Sequence, residues 1–200
     1  MLESLTVWLN GLEEAGKLWK LWKPVSRLLR RRRRIQVKVA GFHYFPDRMV
    51  LNMTFGTLGG RFKDVSQVDA ILVVGSDFYH ARNNLHVIKR LILPDPESNS
   101  FKFYIGSVSQ ADAIGALIRD VTKIAKENQT SVKWSSEFIF HTMLLADTDR
   151  PTGWVHIESV LPHSHPKLRP SYTVEKRFSA DAVYEARDIF NHLWDASRPQ

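Results

Sequence analysis

The chain has 200 residues, 44% of them hydrophobic and 24% charged, which suits one globular domain with a sizeable core and argues against a chain disordered throughout. It has no cysteine, so disulfides, thiolate metal sites and cysteine nucleophiles are excluded, in keeping with a cytoplasmic protein. Its net charge of +7 comes from one end: the first 34 residues hold nine basic residues against Glu3, Glu13 and Glu14, leaving 19 basic and 18 acidic residues in a nearly neutral body, 35–200.

Along the first segment Leu2, Leu5, Leu9, Leu12, Gly16 and Trp19 recur at steps of three and four, with Trp8, Leu18, Leu21 and Trp22 widening the stripe. This spacing predicts an amphipathic helix, acidic early and basic late, that Pro24 breaks or kinks before a short turn, Val25 to Leu29. Lys17, Lys20, Lys23 and Arg27 lead into the unbroken run Arg30, Arg31, Arg32, Arg33 and Arg34. The expectation is a docking element, residues 1–34, with three readings open. Trp8, Trp19 and Trp22 with the cations would suit an anionic membrane surface. The same stripe would suit a partner protein, with the arginines as a solvated linker. Nucleic acid is the third, because arginine runs neutralise phosphates without reading sequence. No apolar stretch reaches the roughly 18–20 residues of a spanning helix, and the start lacks the layout of a secretion signal. The expected location is therefore cytoplasmic, peripheral at the inner membrane face in the membrane reading.

From Ile35 the pattern alternates through Val37 and Val39 toward Gly41 and Phe42, a strand signature, followed by the glycine-rich turn Phe55 to Gly60, which lacks the Lys-Ser/Thr of a phosphate loop. Residues 35 to 70 either join the main sheet or form an added hairpin. Val68 to Val74 reads as a buried central strand ended by Gly75-Ser76-Asp77. A helical segment is predicted around Asn83 to Lys89, then a short strand, Arg90 to Leu93, stopped by Pro94-Asp95-Pro96-Glu97-Ser98. Ser109 to Asn128 is the clearest internal helix, with Ala113, Ile114, Leu117, Ile118, Val121, Ile124 and Ala125 on one face and Ser109 with Asp112 as a capping box. Strands are predicted at Ser131 to Trp134, Phe138 to Ala146, Trp154 to Val160 and Ser171 to Lys176, and an amphipathic helix at Asp181 to Trp194. This order predicts an α/β or α+β fold, a mixed sheet flanked by helices, in one domain spanning 35–200.

Ile71 to Ser197 resembles a degenerate phospholipase D-like domain of the regulator-associated branch in which one such domain stands alone. The resemblance rests on the strand ending in Gly75-Ser76, the strand and turn Leu91-Ile92-Leu93-Pro94-Asp95-Pro96, a long helix, the strand Phe138 to Asp147 and the final Phe190-Asn191-His192-Leu193-Trp194 helix. It implies a site in which two His-x-Lys motifs, each with a later Asp, face each other across a twofold: one histidine attacks phosphorus, its partner protonates the leaving oxygen, and the lysines hold developing charge. His141 stands in the histidine place, Met143 in the lysine place, and Asp147 or Asp149 falls one residue either side of the aspartate place. His141 and Asp147 are thus the candidate catalytic residues, against the plainer reading of His141 as a cleft or core histidine. Loss of the lysine argues more for the fold than for hydrolysis.

The residues themselves offer a second candidate, Ser76, Asp77, His80, Arg82 and Asn83, polar groups gathered just past a buried strand, where Arg82 could clamp a phosphate or carboxylate. A capped helix start would give the same pattern with no ligand. Asp95 and Glu97 read as turn chemistry, and Ser76 with His80 lacks a nucleophile-elbow context. His156, His163 and His165 lie close together, but Pro162 and Pro166 bracket the last pair and no carboxylate completes a set, so no metal or cofactor is expected. Two functions follow. The first is a non-catalytic or weakly catalytic domain for sensing or assembly, docked through residues 1–34 and, as the resemblance implies, working beside regulatory or defence modules. The second is a homodimeric phosphodiesterase, acting on nucleic acid or phospholipid, that pairs two copies of His141. A homo-oligomer is expected in either case.

Overall fold

A computed structural model describes residues 41–46, 62–73, 86–105, 108–137, 139, 141–160 and 169–200. The chain divides into two units, Met1–Gln36 and Val37–Gln200, and every described residue belongs to the second. The expected amphipathic helix and arginine run, the strand over 35–39, the glycine-rich turn, the 76–83 cluster, His163 and His165 all lie outside the described residues.

The described residues form eight strands and three helices: β1 Phe42–Phe45, β2 Val68–Ile71, β3 Ile88–Pro94, α1 Asn99–Ile105, α2 Val108–Glu127, β4 Ser131–Ser135, β5 His141–Ala146, β6 Trp154–Ser159, β7 Ser171–Glu175, α3 Ala180–Ala196 and β8 Arg198–Pro199. One mixed sheet takes them in the order β1-β7-β6-β5-β2-β3-β4-β8. β2, β3 and β4 run parallel and the other neighbours are antiparallel. The α/β class with helices flanking a mixed sheet is as expected, and β1 and β2 place both described parts of the 35–70 region in the main sheet.

The sheet centre is buried on both faces, which is why β3 reads as the continuous apolar run Leu91-Ile92-Leu93. Side chains at alternate positions enter separate cores. Val68, Ala70, Leu72, Leu91, Leu93 and Leu144 join Ile118, Val121 and Ala125 of α2. Ile71, Val73, Ile92, Met143, Leu145 and Val155 join Val183, Ala186 and Phe190 of α3. Asp69, on the α3 side, is 4% exposed and would be costly there alone. Arg90 of the neighbouring strand meets it with two bonds, Nη2 to Oδ2 at 2.6 Å and Nε to Oδ1 at 3.0 Å, and gives a third to Asn191 Oδ1 at 3.0 Å. The guanidinium also lies 4.7 Å from the centre of the Phe190 ring and 5.6 Å from that of Trp194. Lys133 Nζ donates to the Trp194 carbonyl at 2.7 Å, a cation at the last turn of α3, where the helix dipole favours it.

Three sequence expectations change. The helix foreseen up to Lys89 is absent there: a short turn at His86 and Val87 leads straight into β3, because Val68 of β2 pairs with Ile88. Ser109 does not cap α2, which starts at Val108 and takes Ser109 into its first turn. The Pro94–Ser98 turn stops β3 as expected but launches the unforeseen α1, with the Ser98 hydroxyl accepting from the Phe101 amide at 3.1 Å.

Arg90→Ala should lower stability by about 2–4 kcal/mol, since it strands a buried carboxylate and unpins α3. In urea unfolding of the two single variants and the double variant, Asp69→Ala should then cost little more in the Arg90→Ala background, whereas strict additivity would contradict the linkage.

Candidate functional site

His141 is the first residue of β5, exposed, and opposite Ser159 of β6. β5 also pairs with β2, with Met143 opposite Ile71. Continuing that antiparallel register sets His141 level with Val73, the last described residue before the segment 74–85. His141 and the departure point of the segment that holds Ser76, Asp77, His80, Arg82 and Asn83 therefore share the carboxyl end of β2, where open α/β sheets take ligands. The five residues themselves are outside the described set, so the shared location concerns the strand ends only.

Met143 lies two residues along β5 on the same side as His141, and it is 6% exposed within the α3 core. Ile71 and Ile157 are its ladder partners. A lysine at this position would put an ammonium among apolar side chains, where burial of an unpaired charge is strongly unfavourable.

Asp147 follows the last residue of β5, so about 20 Å of extended strand separates it from His141 and the two are not brought together. Its carboxylate is 7% exposed and accepts from the Ser66 hydroxyl at 2.7 Å, the Ser66 amide at 3.1 Å and the Gln67 amide at 2.9 Å. Its own amide donates to the Gln67 carbonyl at 2.9 Å. Asp147 thus ties the loop before β2 to the turn after β5, in a left-handed backbone conformation at φ 45°. Gly153 closes that turn, because a Cβ there would collide with the Asp147 carbonyl. Burial alone would raise the Asp147 pKa, but the Ser66 and Gln67 hydrogen bonds, aided by Arg150, outweigh it and hold the group below the ordinary 3.8. Asp149 is exposed and pairs instead with Arg187 of α3 at 3.0 Å.

Sequence reasoning missed a row of buried polar groups on β6, β7 and the residue leading into β7. His156 is 2% exposed, and its Nδ1 lies 2.9 Å from the Thr173 hydroxyl. Glu158, Arg169 and Ser171 are also buried. The available signal was alternation: Trp154, His156 and Glu158 point one way, Val155 and Ile157 the other, so a polar face repeats at strand period within a run that otherwise reads as apolar. Among the described residues, no group of three or more His, Asp or Glu side chains is placed to hold a metal ion. None of the described helices is long and apolar enough to cross a membrane.

Because the folded-state pKa of Asp147 is lowered, its stabilisation is present above 3.8 and is lost as pH falls through the folded value. Asp147→Asn should therefore cost about 1–3 kcal/mol at neutral pH. The difference from the wild type should shrink in thermal melts taken below pH 3.8, and a gap that persists there would rule the charge out as its source.

No family model matches the chain, and no curated protein matches it. Solved structures do. Nuc from Salmonella typhimurium, a phospholipase D family member, superposes with a TM-score of 0.50 at 8% identity, covering 80% of this chain and 95% of Nuc. TrmBL2, an archaeal chromatin protein whose structure shows a novel mode of DNA binding, superposes with a TM-score of 0.45 at 12% identity, covering 98% of this chain and 68% of TrmBL2. The likeness to Nuc, together with the mixed sheet between its helices, gives the described unit a phospholipase D-like fold.

Proposed function

We propose that this is a phospholipase D-like domain that has given up phosphodiester chemistry and serves in sensing or assembly, carried to its target by residues 1–34. The observation that supports the loss of chemistry is Met143. The resemblance calls for a lysine two residues after His141, and this chain has a buried thioether there, packed in the α3 core. A single electrostatic donor of that kind is commonly worth about 3 kcal/mol of transition-state stabilisation, so its loss alone costs roughly a hundredfold in rate. The opposing reading, a homodimeric phosphodiesterase, draws on the exposure of His141 at the carboxyl end of β2. It requires a cation from elsewhere to replace the clamp and a symmetry mate to supply the second histidine.

Docking is the positive half of the reading. Nine basic residues and no acidic ones between positions 17 and 34, interleaved with tryptophans, give an anionic membrane surface about 1 kcal/mol per cation near the headgroups and a protein groove an apolar stripe. A cytoplasmic protein at the inner membrane face, working as a homo-oligomer beside a regulatory or defence partner, fits both halves.

Two measurements test the proposal. Replacing Arg30 to Arg34 by serine in the full chain should weaken sedimentation with anionic vesicles at least tenfold at physiological salt while leaving the melting temperature in place. Unchanged binding to vesicles, candidate partners and duplex DNA alike would remove the docking role. Met143→Lys should lower stability by several kcal/mol without creating phosphodiesterase activity; a folded Met143→Lys protein that cleaves a diester would show that only the lysine was missing.

A further inference from the structure

β1 is an end strand of the sheet: it pairs with β7 on one side, and among the described residues no strand pairs with it on the other. Two contacts fix which of its backbone groups face which way. The Glu175 amide donates to the Gly41 carbonyl at 2.9 Å, and the Ser159 amide to the Pro170 carbonyl at 3.0 Å. Bonded pairs recur at every second position of an antiparallel ladder, so β7 bonds to β1 through Thr173 and Ser171 and to β6 through Val174 and Tyr172. The amides and carbonyls of Phe42 and Tyr44, which lie opposite Val174 and Tyr172, therefore point off the edge of the sheet. Their side chains are exposed as well, Phe42 by 36% and Tyr44 by 45%, and the Phe42 ring stacks on Tyr172 with centres 5.5 Å apart. Edge strands are usually blunted by a lysine, a proline or a bulge. Phe42-His43-Tyr44-Phe45 has none of these: its register on β7 is unbroken, and Pro46 comes only after its last residue.

We propose that the edge of β1 binds a second copy of this chain, β1 against β1 in antiparallel register about a twofold axis at His43. The spacing selects the occupant. Phe42 and Tyr44 carry the outward groups and lie two residues apart, so a twofold at His43 sets Phe42 of each copy opposite Tyr44 of the other, and the outward amides and carbonyls of one strand meet those of its equivalent. The rings follow the backbone: on the α3 side each Phe42 faces a Tyr44, an aromatic cross-strand pair formed twice, and no lysine, arginine or carboxylate on either strand opposes the approach. At the axis His43 meets its equivalent on the opposite face of the sheet, where Glu175 Oε1, 3.0 Å from His43 Nε2 in each copy, offsets the charge of a proton there. Pro46, with no amide hydrogen, keeps the ladder short. So short a joint makes a weak dimer that depends on concentration. β5 lies three strands in from β1, so at about 4.8 Å per strand the two copies of His141 stand roughly 30 Å apart and do not face each other. The inference rests on the homo-oligomer of the proposed function and gives it a surface, one that leaves His141 unpaired.

Sedimentation of the full chain from micromolar to millimolar concentration should show a reversible monomer–dimer equilibrium. Tyr44→Lys should weaken it by about tenfold or more with the melting temperature in place. Because the chain has no cysteine, introduced thiols read the register. In a mixture of Phe42→Cys and Tyr44→Cys proteins under mild oxidation a mixed disulfide should form, since the two positions would stand about 5.5 Å apart between Cα atoms. Either variant alone sets its thiols on a diagonal of roughly 7–8 Å and should cross-link about tenfold more slowly or worse. A Tyr44→Lys protein that dimerises like the wild type would overturn the proposal while leaving a homo-oligomer built on another surface. A wild type that stays monomeric throughout would overturn both and leave the edge to an extended segment of another protein. Single-cysteine variants that cross-link as fast as the mixture would overturn the register and the proposal with it. If Tyr44→Lys does not fold, the mixed disulfide decides the matter alone.

Discussion

Burial of β2, β3 and β5 on both faces is the constraint from which the rest of the structure follows. The apolar residues of these central strands enter one of two cores, the α2 core through Val68, Ala70, Leu91 and Leu144 or the α3 core through Ile71, Ile92, Met143 and Leu145. A charge can survive there only with a fitted partner. Asp69 has one in Arg90, and that pair reaches on to Asn191 and the rings of Phe190 and Trp194, so one polar contact between adjacent strands also fixes where α3 lies. Position 143 has no such arrangement. An apolar residue is what its surroundings accept.

The same constraint separates the two ends of β5. His141 emerges at the carboxyl end of β2 and is exposed, whereas Asp147 at the other end is taken up by Ser66 and Gln67. Motif spacing alone pairs the two as partners in one site. The extended strand between them holds them apart, and the hydrogen bonds around Asp147 make it a structural residue that joins the entry to β2 to the exit from β5.

What the sequence made legible follows the reach of local signals. The helices predicted at Ser109 to Asn128 and Asp181 to Trp194 lie within two residues of α2 and α3 at each end, because an amphipathic period sustained over several turns marks its own boundaries. α1 escaped notice: seven residues are too few to establish a period, and the prolines before it read as an end when they also served as a beginning. The partnership of Asp69 with Arg90 was invisible, since the register of β2 on β3 is not written in either segment. The buried row on β6 and β7 was visible as alternation but easily passed over, because polar residues at strand period usually face solvent and here face inward. As for the candidate site, the sequence identified His141 and the methionine that stands in the lysine place; that Met143 is enclosed, and that Asp147 stands at the far end of the strand, needed the sheet.

On the proposed reading the fold is kept and the phosphate chemistry is lost. The most direct test is hydrolysis of a generic phosphodiester by the full chain, measured beside its His141→Ala variant at concentrations high enough for self-association. The two should be indistinguishable from each other and from buffer; turnover that disappears with His141 would contradict the proposed loss of chemistry.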